Sequence, residues 1–396
     1  MFQSIERRPP DPILGLSAAY KNDPNPKKVD LGVGVYKDEA GNCPVMRAVK
    51  TAEQKLWETE DSKSYIAQAG PELYLKYTGE LLLGADHPVL KDKRAAVVLA
   101  PGGSGSLRVA AEFVARSAPN TRIFVSDPTW NNHIPLLGSA GLKLELYPYY
   151  DYASHKLSFD KMMDKLKEAK EGDLVLLHGC CHNPCGADLS REQWQAVAEA
   201  AQRQGFTPFI DLAYQGLGDG LEADVYGLRL LASMLPEVIV ASSYSKNFGL
   251  YRERTGAVTI IAGTAAAAEA SGSQVIGTAR EMYSVPPAHG AALVALVLDD
   301  AQLRADWDSE LTEMRDRING LRAELVAKLK ERGVERDFSF IQNEKGMFSF
   351  LGLTPEQVKK LVNDYSIYLV GSSRINVAGI NKSNIDYLAD SIAAVL

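Results

Sequence analysis

The sequence predicts an α/β protein in which a mainly parallel seven-stranded sheet is flanked by helices, with a smaller α+β domain attached. Three observations predict it. Seven short apolar runs, at 96–100, 122–125, 142–146, 174–177, 207–210, 238–241 and 257–261, read as strands buried on both faces. Amphipathic stretches separate them, which is the alternation of a parallel sheet with crossover helices. Beyond about Gln302 the pattern changes to one long charged helix followed by short mixed segments.

Taken in order, the stretches 107–116, 159–170 and 191–204 carry helical periodicity, and the alanine run 265–268 opens a further helix. The charged helix is expected from about 302 to 331. The first forty residues, rich in Pro and Asn, read as an extended arm that joins the smaller domain. The expected boundaries are 1–44 for the arm and part of the small domain, 45–301 for the large domain, and 302–396 for the small domain with its connecting helix.

At 396 residues the chain can bury a sizeable core, and 46% hydrophobic with 23% charged residues is ordinary globular usage. A net charge of −7 without a basic stripe argues against nucleic acid as partner. No run of 18 uncharged apolar residues could span a bilayer, and residues 1–10 lack a signal-peptide core, so the expected location is cytoplasmic. Cys180, Cys181 and Cys185 crowd beside His182, but no second ligand pair at zinc spacing exists. They are read as buried reduced thiols, with no metal expected.

Three places carry candidate chemistry. Pro101-Gly102-Gly103-Ser104 follows one predicted strand and opens a helix, a position suited to a phosphate but equally to a plain tight turn. It matches neither a dinucleotide fingerprint nor a P-loop. Asp211 stands where a buried strand ends and could be a ligand group or a helix cap. Ser243-Tyr244-Ser245-Lys246 ends another buried strand in hydroxyls and an amine, with Arg254 eight residues on. That combination could hold a phosphorylated aldehyde cofactor and supply its nucleophile.

These residues resemble the active-site lysine segment of the class I (fold type I) pyridoxal-phosphate aminotransferases, in the aspartate and aromatic amino acid subgroup. The resemblance extends over nearly the whole chain. It runs through Leu31-Gly32-Val33-Gly34, Trp130 with Asn131 and His133, Cys181-His182-Asn183-Pro184, Ala213-Tyr214-Gln215-Gly216, Ser243 to Tyr251, Pro286-Pro287-Ala288-His289-Gly290, Gly346-Met347-Phe348-Ser349-Phe350 and Asn376-Val377-Ala378-Gly379.

The resemblance implies pyridoxal 5'-phosphate carried by Lys246 as a Schiff base, with Lys246 also moving the substrate proton. Gly102, Gly103, Ser104, Ser243, Ser245 and Arg254 would hold the phosphate, joined by Tyr65 from the neighbouring subunit of a homodimer. Asp211 would pair with the pyridine nitrogen, Asn183 and Tyr214 with the phenolic oxygen, and Trp130 would stack on the ring; His133 would stand behind them. Gly34, Trp130 and Asn183 would border the substrate, Arg374 would bind its α-carboxylate, and Arg280 would reach across the dimer to a side-chain carboxylate.

The implied activity is aspartate aminotransferase, exchanging amino groups between L-aspartate and 2-oxoglutarate by a ping-pong route. The alternatives are an aromatic aminotransferase and, more remotely, a decarboxylase or β-lyase using the same cofactor. Four places depart from the family pattern: Cys185 for Thr, Val285 for Asn, Ser373 where Gly is common, and 66–68 after Tyr65.

Overall fold

The structure, a computed structural model, describes residues 2–7 and 12–396. Met1 and residues 8–11, part of the segment read as an arm, lie outside the described residues.

All seven apolar runs are strands of one sheet, but the run 142–146 is a half-exposed edge strand, with Leu146 49% exposed, rather than one buried on both faces. They are β1 (Ala95–Pro101), β2 (Arg122–Asp127), β3 (Lys143–Pro148), β4 (Leu174–His178), β5 (Thr207–Leu212), β6 (Val238–Ser243) and β7 (Thr255–Ile261). Their order across the sheet is β1-β7-β6-β5-β4-β2-β3. Only β7 runs against its neighbours, pairing antiparallel with β1 and β6. Its first residues therefore lie at the edge where the other strands end, with Thr255 opposite Pro101 and Gly256 opposite Ser243. Continuing along that edge, Asp211 pairs with Ala241 on one side and His178 on the other.

The helix α1 (Gly102–Ser117) starts directly at the end of β1 and packs Val109, Ala110 and Ala111 into the core beside Val125, Phe209 and Val258. The helix α2 (Arg191–Gln204) begins at a capping box in which Ser190 and Gln193 satisfy each other's backbone N–H, and Gly205 in the left-handed region ends it.

By its internal contacts the chain divides into two compact units, Pro44–Asp316 and Met1–Cys43 with Arg317–Leu396. The connecting helix α3 (Ala301–Glu331) is split between them, whereas the sequence reading assigned it wholly to the small domain. Its first turns stay with the large unit because Trp307 is fully buried, stacks on Phe248 at 4.4 Å between centroids, and donates its indole N–H to the Asn247 carbonyl at 2.7 Å.

In the smaller unit, Val29–Asp30 pairs parallel with Ile367–Tyr368, and Phe348–Phe350 pairs antiparallel with Arg374–Asn376. The arm is not extended throughout, since Pro12–Asn22 is a helix. Proline in the first turn removes only an N–H that has no helical partner, so it starts this helix rather than breaking it.

Candidate active site

The phosphate-shaped part of the site is built where β1, β6 and β7 meet. Gly102 has φ +70°, and a Cβ there would lie 2.5 Å from a terminal nitrogen of Arg254, so the backbone turn and the guanidinium occupy adjoining space only because the residue is glycine. A Cβ on Gly103 would press on Ser243 at 3.2 Å. The Ser243 hydroxyl donates to Ser245 Oγ at 3.1 Å, and Arg254 reaches the same Oγ at 3.4 Å while donating to the Tyr251 carbonyl at 2.9 Å. Ser106 ties the turn down through the carbonyls of Gly102 and Ser242. Hydroxyls, a guanidinium and the open N–H groups of α1 thus converge in one cradle, with Ser104 in its first turn. This donor set suits a phosphate dianion.

Lys246 follows β6 into the same region. Its Nζ lies 4.9 Å from the centre of the Tyr214 ring. Burial lowers its ammonium pKa to about 8, with Asp211 opposing that shift and Arg254 adding to it. An amine that loses its proton near neutrality is a usable nucleophile and base.

Asp211 is buried, and its Oδ2 lies 2.9 Å from His133 Nε2. Burial pushes its pKa up, yet the hydrogen bond to His133 and the charge of Lys246 outweigh that, and the carboxyl stays below its ordinary value. His133 Nδ1 meets Thr129 Oγ1 at 2.7 Å, and the same hydroxyl lies 3.3 Å from His178 Nε2. Burial drives His178 down to about 3, so it is neutral. Trp130 sets its ring edge against His133 with centroids 5.3 Å apart.

The sequence reading left His133 behind the site and did not single out Thr129 or His178. The signal for His178 was its place at the end of a buried strand beside that of Asp211. Further along, His182 stacks on Tyr149 at 4.1 Å and meets the Cys185 thiol at 3.1 Å, so the departure at Cys185 touches an imidazole rather than solvent.

Asn183 and Tyr214 are both buried, and the Asn183 side-chain oxygen is sealed from solvent without a hydrogen-bond partner among the described residues. A buried polar atom of this kind is costly unless a ligand satisfies it. With the cradle, the amine and the carboxylate, it makes the residues present a fit for pyridoxal phosphate. Cys180, Cys181 and Asp224 bring possible metal-ligand atoms within 4.8 Å of one another. The Asp224 carboxylate already accepts the N–H groups of Gly216, Gly218 and Asp219.

Arg374, in the smaller unit, is buried, donates to the Gly32 carbonyl at 2.8 Å and lies over the Phe348 ring. Gly34 packs against that same ring. Tyr65 is 91% exposed, and Arg280, near the end of the helix Ala265–Tyr283, is exposed as well. Among the described residues neither side chain hydrogen-bonds to the cluster.

The comparisons with known proteins agree with this chemistry. A family profile, Aminotransferase class I and II, matches residues 26–392. The chain is 49% identical over 396 residues to an aspartate aminotransferase of Haemophilus influenzae, covering all of both chains. It is 47% identical over 394 residues to an aromatic-amino-acid aminotransferase of Pseudomonas aeruginosa, covering 100% of this chain and 98% of that one. Among solved structures, an aromatic-amino-acid aminotransferase from Burkholderia pseudomallei covalently bound to pyridoxal phosphate superposes with a TM-score of 0.98 at 44% identity, covering 100% of this chain and 99% of that one. An amine beside a phosphate cradle and a buried carboxylate, on a fold shared over its whole length with these enzymes, makes this chain a member of the class I and II aminotransferases.

Proposed function

We propose that the protein is an aspartate aminotransferase that uses pyridoxal 5'-phosphate to move the amino group between L-aspartate and 2-oxoglutarate. The observation that carries the reading is the lowered Lys246 amine beside Asp211 and the cradle of Gly102, Gly103, Ser243, Ser245 and Arg254.

Bound there, the cofactor supplies an electron sink for the charge left at the substrate Cα. Gly103, Ser104, Ser243, Ser245 and Arg254 anchor its phosphate. Asp211, kept ionised, holds the proton on the ring nitrogen, while Asn183 and Tyr214 hydrogen-bond the phenolic oxygen and Trp130 covers the ring. Lys246 takes the proton from the substrate Cα as a general base. Arg374 binds the α-carboxylate in two-point fashion, which fixes the Cα–H bond for that transfer.

Arg280 selects a second carboxylate on the substrate side chain. Its exposure on a single chain, together with that of Tyr65 and of Trp57 at 82%, supports a homodimer in which each subunit lends Arg280 and Tyr65 to its partner's site. The cytoplasmic placement belongs to the same proposal: among the described residues Cys43, Cys180, Cys181 and Cys185 are in no disulfide, the state that a reducing compartment maintains. Among the described residues no helix is long and apolar enough to cross a membrane.

A second reading, aromatic amino acid transfer, is supported by the aromatic aminotransferases at nearly equal identity over full length. The deciding experiment is kcat/KM for aspartate, glutamate, phenylalanine and tyrosine with 2-oxoglutarate as acceptor. Aspartate should lead. A protein that transfers from tyrosine and not from aspartate overturns the proposal.

A further inference from the structure

We infer that Phe348 is a positioning residue for the substrate carboxylate, setting at once the plane of the Arg374 guanidinium and the position of the Gly34 segment. This rests on the reading of Arg374 as the carboxylate-binding group.

The observations lie within the smaller unit. The strand Phe348–Phe350 pairs with Arg374–Asn376, with Phe348 opposite Asn376. From that second strand the chain 31–35 is held by hydrogen bonds. The Asn376 backbone N–H donates to the Leu31 carbonyl at 2.7 Å, and its side-chain amide to the carbonyls of Val33 at 2.6 Å and Val35 at 2.8 Å. Arg374 Nη2 donates to the Gly32 carbonyl at 2.8 Å.

One aromatic ring fills the space that this lacing encloses. Phe348 is 3% exposed, and its ring centre lies 4.4 Å from the Arg374 guanidinium carbon. On its far edge, the Cζ lies 2.8 Å from where a Cβ on residue 34 would sit, so Gly34 is glycine because the ring already occupies that volume.

With its carbon held over an aromatic ring, a guanidinium gains a cation–π contact while its N–H groups keep their in-plane directions for gripping a carboxylate at two points. The contact also restricts rotation of the side chain before substrate arrives, so less ordering remains to be done on binding. The same ring sets how near the Gly34 backbone comes. The contact acts on the grip of the carboxylate and on no group that takes up the proton, so its effect is larger in binding than in turnover.

The test uses the cofactor-loaded protein and its Phe348→Leu and Phe348→Met variants, which keep apolar bulk and remove the aromatic face. Affinity for succinate, a dicarboxylate that cannot react, is measured by calorimetry. The dissociation constant should rise about tenfold, with the KM values for aspartate and 2-oxoglutarate rising in parallel. The kcat should stay within about twofold and the cofactor absorbance spectrum should not change. Gly34→Ala, which displaces the ring instead of removing it, should give the same split between KM and kcat.

Unchanged succinate affinity in a variant that melts with the wild type overturns the inference, as does a fall in kcat that tracks a loss of thermal stability. Should the wild-type protein move no amino group at all, the aminotransferase reading fails, while succinate affinity still reports on Phe348.

Discussion

His133 and Asp211 share a hydrogen bond of 2.9 Å, with the imidazole fully enclosed. An ionised carboxylate can only accept, so His133 donates to it from Nε2, while its Nδ1 lies 2.7 Å from Thr129 Oγ1. That donated hydrogen bond helps to keep Asp211 charged in a buried place.

Replacing His133 with Leu removes a donor from a buried carboxylate. The Asp211 pKa should then rise, because burial raises it and the opposing hydrogen bond is gone. The acid limb of kcat/KM against pH should move to higher pH, and activity near neutrality should fall by about ten- to a hundredfold. A limb that stays in place would show that His133 is only packing.

Lys246 titrates near 8 because it is desolvated, so in the cofactor-free protein its neutral amine is available above that pH. Stopped-flow absorbance should show the rate of cofactor attachment rising with pH and levelling off above about 8. A plateau reached only near the ordinary lysine value contradicts the burial argument. Lys246→Ala should lose the covalent attachment and nearly all turnover.

Arg280→Ala should cost about two to three orders of magnitude in kcat/KM for aspartate and little for phenylalanine, since one guanidinium–carboxylate pair is lost. The shared-site arrangement makes a sharper case. Mixed with Lys246→Ala, it should regain up to about one quarter of wild-type activity, because half of the dimers are hybrids and each hybrid has one intact site. If the mixture stays inactive after subunit exchange has been verified, Arg280 acts within its own chain.

Ser373 holds φ at +68°, a backbone region that favours glycine, and its hydroxyl accepts the Leu353 N–H at 3.0 Å. Serine therefore trades backbone strain for a buried hydrogen bond. Ser373→Ala keeps the strain and drops the bond, costing about 1–3 kcal/mol, while Ser373→Gly relieves about 1–2 kcal/mol of that loss. Urea denaturation should rank wild type and glycine close together, with alanine lowest. Alanine as stable as glycine would refute this balance.

The sheet was legible because strands buried on both faces are continuous apolar runs, and the helix 191–204 because its start is a capping box written in Ser190 and Gln193. Lys246 and Asp211 were legible as polar residues closing such runs. Two features were not. The Pro- and Asn-rich arm concealed the helix Pro12–Asn22, and the periodicity of α3 did not reveal that Trp307 is seated on Phe248. Helical period reports which face is apolar, never which neighbour that face meets.

By itself, then, the sequence determined the α/β class and the cofactor, and it named candidate residues for that chemistry, since each is written in local pattern or in ordered motifs. Tertiary structure alone decided the Thr129–His133–Asp211 linkage, the cradle in which Gly102 faces Arg254, and the ring of Phe348 between Gly34 and Arg374. Apart from Thr129 with His133, these are contacts between residues far apart in the chain. They come from strand order and register, which hydrogen bonding and burial settle only when the whole sheet is assembled.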